Sequence, residues 1–280
     1  MDALPDSGRR ALEHVAALST GSPADPSLRI TLNFHPDRAS ILPALATGGT
    51  YQSQFVTGTS NGGLTAHPGG DRWRWEQAMF GGAYDDAPAH VRPVYGGLNF
   101  RHKPVGAAPR FGSAHLRLTG ATLARATFCY PDSYLGPTAF AVAGRMSLIE
   151  LALADDQDEL DDYIEAQVHG EVRLDRDVEA LVLDPGYRGT EVEAAARLLP
   201  CPMEWHGGFR LSVAELRRHP DYRGPEYVRL GAEIAEDGWL TPRLVGEAAR
   251  SGRYAEQDLK RVWHYLARFG APVLDCRSGR

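Results

Sequence analysis

Residues 163–171 read Tyr163-Ile164-Glu165-Ala166-Gln167-Val168-His169-Gly170-Glu171. In an extended chain, side chains two apart share a face. Ile164, Ala166 and Val168 then form an apolar face, and Glu165, Gln167 and His169 form the opposite one. The pattern predicts a strand over 163–169 with its apolar side against a core. Its polar side has two readings. It lines a site with three chemically useful groups, or it is the solvent-facing side of an edge strand, since alternation is ordinary in half-exposed sheets. Glu171 keeps the same parity but lies past Gly170, where a strand can break.

A second alternating run carries Leu28, Ile30, Leu32 and Phe34. It stops at His35-Pro36-Asp37-Arg38, because proline has no N–H for a ladder. Further short strands are predicted over 51–56, 95–100, 110–118, 126–130 and 180–183. Helical spacing marks 8–18, 40–46, 71–80, 146–154 and 190–199, with Asp71 as the N-cap of the third. Beyond about Pro220 the character changes: 227–237, 242–251 and 255–269 are helical, with almost no strand signal. Short strands scattered among helices, without strict βαβ alternation, predict an α+β fold. The chain divides into an N-terminal helix and breaker-rich linker (1–25), a mixed core (26–219) and a C-terminal helical subdomain (220–280).

Composition narrows the function. With 280 residues, 43% hydrophobic and 24% charged, the chain is neither collagen-like nor disordered. Its net charge of −6 argues against non-specific nucleic-acid binding, which needs a basic surface. No apolar run approaches the roughly 18–20 residues that cross a bilayer. The first residues lack the basic start and apolar stretch of a signal peptide. Cys129, Cys201 and Cys276 are far apart and form no CxxC pair, which disfavours a zinc site or a disulfide framework and suits a cytoplasm.

Other segments have a functional and a plain reading. The 35–38 corner could project Arg38 into a cleft, where its planar fork suits phosphate or ribose; turns also enrich Pro and Asp for their own reasons. Thr57-Gly58-Thr59-Ser60-Asn61-Gly62-Gly63 could let backbone amides approach an anion, or be a hairpin loop. It lacks the P-loop lysine, and no helix opens at once as a dinucleotide fingerprint requires. Trp73, Trp75, Phe80 and Tyr84 read as packing around a helix. His67, His90, His102 and His115 show no metal-ligand spacing, and neither HExxH nor GxSxG occurs, so no metal site is assigned. The acidic run 155–162 lacks the central glycine and terminal glutamate of a calcium loop.

Taken together, TLNFHPDR (31–38), YQSQFVTGTSNGGLTAHPGGDRWRWE (51–76), FGGAYDDAPAHVRPVYGGLNFR (80–101), RFGSAHLRL (110–118), ATFCYPDS (126–133) and YIEAQVHG (163–170) resemble a bacterial family long of unknown function. That family is similar to the ADP-ribosyltransferases and includes CteC-like effectors that modify ubiquitin on threonine. The resemblance covers about 25–190. It implies an ADP-ribosyltransferase-like split mixed/antiparallel sheet with flanking helices and a C-terminal helical extension. It also implies NAD as substrate and a protein acceptor, with a threonine of ubiquitin as the candidate. Such enzymes use an Arg or His at the end of the first strand, a Ser/Thr-rich segment and a late-strand Glu. Here these are His35 and Arg38, then Thr59 and Ser60, then Glu165. The family's serine-threonine-serine triplet is not literal, and Glu165-Ala166-Gln167 reverses its usual order.

The resemblance thus implies Glu165 as the catalytic carboxylate, with Glu171 as the fallback. Gln167 and His169 would position the acceptor hydroxyl or serve as general base. His35, Arg38, Thr59, Ser60, Asn61, Gly62 and Gly63 would bind NAD. An NAD glycohydrolase on the same fold and a non-catalytic protein-binding module are the alternatives. The expected location is the bacterial cytoplasm, or a host cytosol after secretion without a cleavable signal.

Overall fold

The two alternating runs become strands of one sheet, separated by a single strand. The structure, a computed structural model, describes residues 4–38, 41–58 and 65–272. Its strands are β1 (Ile30–Phe34), β2 (Thr50–Tyr51), β3 (Val94–Leu98), β4 (Ala114–Leu118), β5 (Ala126–Tyr130), β6 (Ala139–Val142), β7 (Ile164–Val168), β8 (Val172–Arg173), β9 (Val178–Leu183), β10 (Met203–Trp205), β11 (Leu211–Ser212) and β12 (Trp239–Leu240). Its helices are α1 (Asp6–Leu18), α2 (Ile41–Gly48), α3 (Gln54–Thr57), α4 (Asp71–Met79), α5 (Leu148–Ala154), α6 (Glu191–Ala196), α7 (Val213–Leu216), α8 (Pro225–Ile234), α9 (Pro242–Arg250) and α10 (Glu256–Phe269). The fold is mixed α+β.

Eight strands form a continuous sheet in the order β10-β9-β4-β1-β3-β7-β5-β6. Neighbours are antiparallel except β9 and β10, which are parallel. Near its middle the sheet nearly comes apart. β1 pairs with β3 only through Ile30↔Leu98 and Thr31↔Gly97, whereas β3 pairs with β7 along its whole length, from Val94↔Val168 to Leu98↔Ile164. Two glycines make the crossing possible. A Cβ at Gly96 would stand 2.5 Å from Leu32 Cδ2 and 2.6 Å from the Thr31 carbonyl; one at Gly97 would stand 2.8 Å from Ala107 Cβ. Any side chain there would push the strands apart.

One face of the sheet is apolar. Ile30, Leu32, Phe34, Leu116, Phe128, Ile164, Ala166 and Val168 pack there with Leu42 and Leu45 of α2 and Leu148 of α5. Each large side chain so buried contributes about 1.5–3 kcal/mol. The other face carries a polar row, Thr31, Asn33, His115, Thr127, Glu165 and Gln167, all buried. Two separate covers protect it. Over the β5–β6 half, Ala11 and Val15 of α1 pack with Met79, Phe80, Ala83 and Tyr84 against Cys129. Over the β4–β9 half sits a helical cluster built on Phe209, Leu216, Val262, Trp263 and Leu266. In α10, Leu259, Val262, Trp263 and Leu266 are buried, the three- and four-residue spacing of one helix face. Pro225 and Pro242 open α8 and α9 at a position whose N–H has no helical partner.

Several expectations change. β7 lies between β3 and β5, and all five of its residues are buried, so its polar side is not a solvent face. Of the strand expected over 51–56 only Tyr51 lies in a strand, as part of β2 paired with β8, because Ser53 caps the short helix α3. Pro109–Phe111 is a 3-10 turn, and its strand begins at Ala114. Gly70, not Asp71, is the N-cap of α4. Strand β6 was not predicted. The helical cluster starts at Phe209 and includes the β11–β12 pair, earlier than the expected boundary at 220. Helix α1 is part of the core, with Ala11 and Val15 sealed from solvent. Among the described residues no helix is long and apolar enough to cross a membrane.

Candidate functional site

Glu165 sits on β7 opposite Gly97 of β3, beside the place where β1 and β3 part. Its side chain is nearly buried and held at both oxygens. Ser133 donates to Oε2 from its hydroxyl at 2.8 Å and from its backbone N–H at 3.3 Å. Gln167 Nε2 donates to Oε1 at 3.0 Å. The Arg72 guanidinium lies 3.8 Å from Oε1 and donates to the Ser133 hydroxyl at 2.6 Å. Burial raises the Glu165 pKa, and the Arg72 charge opposes that rise. The result is a carboxylate of fixed orientation.

Arg72 reaches this place because α4 buries a charged face: Arg72, Glu76 and Met79 point inward at helical spacing. The guanidinium lies 4.0 Å from the centre of the Tyr95 ring. Tyr95 donates to Glu76 Oε1 at 2.9 Å, and Arg92 donates to Glu76 Oε2 at 2.5 Å. Glu76 is sealed from solvent, and its burial pushes the pKa up against the pull of Arg92. Ser133 is placed by the turn after β5, where Asp132 accepts from the Tyr134 N–H at 3.0 Å and from the Tyr163 hydroxyl at 2.5 Å. Arg72 Nε has no hydrogen-bond partner although it is buried.

The carboxylate borders a small cavity of about 70 Å³, shared with Arg72, Tyr95, Ser133, Tyr51 and Gln54. A second cavity, of about 400 Å³, shares Tyr51, Gln54 and Tyr95 with the first and carries His35 and Arg38. Glu165 and the 35–38 corner thus face adjoining cavities with a common wall. His35 is half-buried with its ring edge-on to Trp263, centroids 5.0 Å apart. Burial, then the nearby Arg38, lowers its pKa to about 3, so the ring is neutral. Arg38 is largely exposed and lies 3.5 Å from Glu256.

The remaining expected residues fall elsewhere. Gln167 is fully buried, braced between Glu165 and the Thr127 hydroxyl, which donates to its Oε1 at 2.9 Å. His169 is also fully buried, and both ring nitrogens are engaged. The Tyr84 hydroxyl lies 2.7 Å from Nδ1 and Thr127 Oγ1 lies 3.0 Å from Nε2. Since Thr127 donates to Gln167, its oxygen accepts from Nε2–H, and Nδ1 accepts from Tyr84. Burial holds this imidazole down to about 3. It lines neither cavity, so contact with an acceptor hydroxyl is closed to it. Glu171 is exposed and also lines neither cavity. Thr59, Ser60, Asn61, Gly62 and Gly63 lie outside the described residues.

Arg72, Tyr95 and Ser133 were not singled out from the sequence. Arg72 and Glu76 at four-residue spacing beside Trp75 carried a usable hint, a charged pair on the face that the aromatics bury. Of the four aromatics expected to pack around that helix, Trp75, Phe80 and Tyr84 share one cluster and Trp73 is not in it. Among the described residues no group of three or more His, Cys, Asp or Glu side chains is arranged to hold a metal ion.

A search of curated proteins finds no match to the chain. A family profile described as protein of unknown function (DUF3626) matches residues 29–156 and 139–269, which span the sheet, both cavities and the helical cluster. The chain therefore belongs to the DUF3626 family of proteins of unknown function.

Proposed function

We propose that this protein is an NAD-dependent mono-ADP-ribosyltransferase on an ADP-ribosyltransferase-like fold, acting on a protein side chain. A threonine of ubiquitin is the first acceptor to try, and a host cytosol the expected place of action. One observation carries the reading. The Glu165 carboxylate is gripped at both oxygens and borders, together with Asp132, a cavity that adjoins one bearing His35 and Arg38. The residue types suit NAD as a substrate. Arg38 offers a guanidinium for phosphate or ribose. Tyr95 and Tyr51 offer ring faces, Gln54 an amide, and Arg72 a buried N–H without a protein partner.

Glu165 would accept a hydrogen bond from the 2′-hydroxyl of the ribose and stabilise positive charge that develops on that sugar. The bond from ribose C1′ to the nicotinamide nitrogen breaks, its electron pair leaving with nicotinamide. A bond from C1′ to the acceptor oxygen forms, and the hydroxyl proton leaves to the carboxylate or to water. The chemistry parallels glycoside cleavage. Ser133, Gln167 and Arg72 hold the carboxylate in place before the reaction, so little reorganisation is needed; one such oriented group is commonly worth about 10²–10³ in rate. His169 acts at a distance, by fixing Thr127 and Gln167.

Nicotinamide release from NAD, followed by chromatography with and without ubiquitin, tests the reading. Release that depends on the acceptor and disappears in Glu165→Gln is expected. Release at the same rate without an acceptor assigns the site to a glycohydrolase. Absence of release under both conditions favours a binding module and contradicts the proposal.

A further inference from the structure

Two carboxylates border the small cavity beside β7, Glu165 and Asp132. They reach it from different elements, and the fold fixes one against the other. Glu165 stands on β7. Asp132 caps the 3-10 turn Ser133–Leu135 that follows β5. The next residue, Ser133, grips Glu165 Oε2 through its hydroxyl and its amide. In return Tyr163, two residues before Glu165, donates to Asp132 Oδ2 at 2.5 Å. Hydrogen bonds thus run both ways between turn and strand, and neither acid can move far without the other.

Their surroundings differ. Glu165 is engaged at both oxygens and has Arg72 alongside. Burial raises its pKa, Arg72 opposes the rise, and the Asp132 charge adds to it. Asp132 accepts from the Tyr134 N–H at Oδ1 and from Tyr163 at Oδ2, and each carboxylate oxygen can take a second donor. Arg110, 4.0 Å from Oδ2, is turned to Asp161. Asp132 also stands at the mouth. Tyr134, two residues on, lines the same cavity and is 67% exposed, whereas Glu165 lies deep in the sheet. An acceptor arriving from solvent therefore meets the Asp132 wall first.

Transfer to a hydroxyl needs a base, because threonine is a weak nucleophile until its proton is taken. Glu165 is committed to the ribose 2′-hydroxyl. The imidazoles are out of place: His169 lines neither cavity, and His35 does not line this one. Asp132 is the other acid on the wall. Two acids with separate tasks at one sugar carbon are the pattern of glycoside cleavage. Resting on the transferase reading, we propose that Asp132 is the general base of the transfer and that the acceptor hydroxyl enters over the Ser133–Leu135 turn. The acceptor oxygen bonds to ribose C1′ as its O–H bond breaks, and the proton passes to an oxygen of Asp132. The electron pair of the C1′–nitrogen bond leaves with nicotinamide, which becomes neutral. Glu165 keeps its charge throughout and steadies the ribose.

Nicotinamide release and the intact mass of ubiquitin, followed with Asp132→Asn and Asp132→Ser, test this. Both replacements can still cap the turn, and urea unfolding checks that each is folded. Transfer to ubiquitin should fall by about 10²–10⁴, the usual contribution of a general base. Azide has no proton to lose, so sodium azide should restore nicotinamide release in the variants and give ADP-ribosyl azide, read by its mass. Glu165→Gln should not respond to azide, since positive charge on the ribose goes unmatched whichever nucleophile attacks. Transfer at the wild-type rate by either folded variant would overturn the inference and leave the transferase reading standing. So would a loss that azide mends in neither variant, which would make Asp132 a cap alone. A wild-type protein that releases no nicotinamide with ubiquitin or with azide defeats both.

Discussion

Glu165 on β7 and His169, the residue just past its end, stand four residues apart with the same parity, and the structure treats them differently. Glu165 borders a cavity at the parting of β1 and β3. His169 is closed in by Tyr84, whose ring stacks on it at 13°, and by the edge-on ring of Phe80. Alternation of residue types says which face a side chain takes. The cover over that face says what it can touch. Here Phe80 and Tyr84, which follow α4, cover one end, and the short pairing of β1 with β3 leaves a cavity at the other.

Arg72→Leu should give the largest effect. It leaves Glu165 in a buried setting without its cation, which costs about 3–5 kcal/mol of stability. Urea unfolding would measure this, and the double variant with Glu165→Gln should recover a good part of the loss. Strict additivity of the two substitutions would mean that the pair is not coupled. Next comes Glu165→Gln alone, which should lower transfer by about 10²–10³, or roughly 2.7–4 kcal/mol in barrier. His169→Gln should act mainly on folding. Disturbing two buried hydrogen bonds costs about 1–3 kcal/mol, while transfer falls less than about tenfold in the folded fraction. A loss of transfer as deep as that of Glu165→Gln would erase the distinction between the two ends of the strand.

The smallest effect is in pH. The His169 pKa is lowered from 6.5 to about 3 by burial. The unfolded chain therefore takes up a proton below pH 6.5 that the folded one refuses. Stability from this group is fully present above 6.5 and is lost as pH falls towards 3. Between pH 7 and 5.5 the loss is about 1 kcal/mol. His35 and His115 are lowered to about 3 as well and act in the same direction. The test is accordingly the difference in acid sensitivity between the wild type and His169→Gln, with the variant losing less. Equal slopes would place the His169 titration outside the folding equilibrium.

The legible parts of the sequence were those whose neighbours decide the outcome locally. Leu28 to Phe34 and Ile164 to Val168 alternate cleanly because one face of the sheet is core and the other a polar row. Pro36 ends the first run as expected. Residues 51–56 misled because Ser53 starts a helical turn that Gly58 ends in the left-handed region, a signal shorter than the apolar run around it. Strand β6, Ala139–Val142, lacks polar alternation and shows no period. At the site, the face that Glu165 takes was readable from its own strand, while its role came only from the family resemblance and its burial was not readable. Arg72 and Ser133 were not, since their roles depend on α4 and the turn after β5 folding back over β7, contacts far apart in the chain. The burial of His169 has the same origin: Tyr84, which seals it, lies on a segment that local periodicity cannot place.

The central claim is that the Glu165 carboxylate serves the transfer of ADP-ribose from NAD to a protein. Its most direct test is the intact mass of ubiquitin after incubation with NAD and either the wild-type protein or Glu165→Gln. A shift by one ADP-ribose unit with the wild type, and unshifted ubiquitin with the folded variant, is the predicted result. Equal modification by both proteins would contradict it.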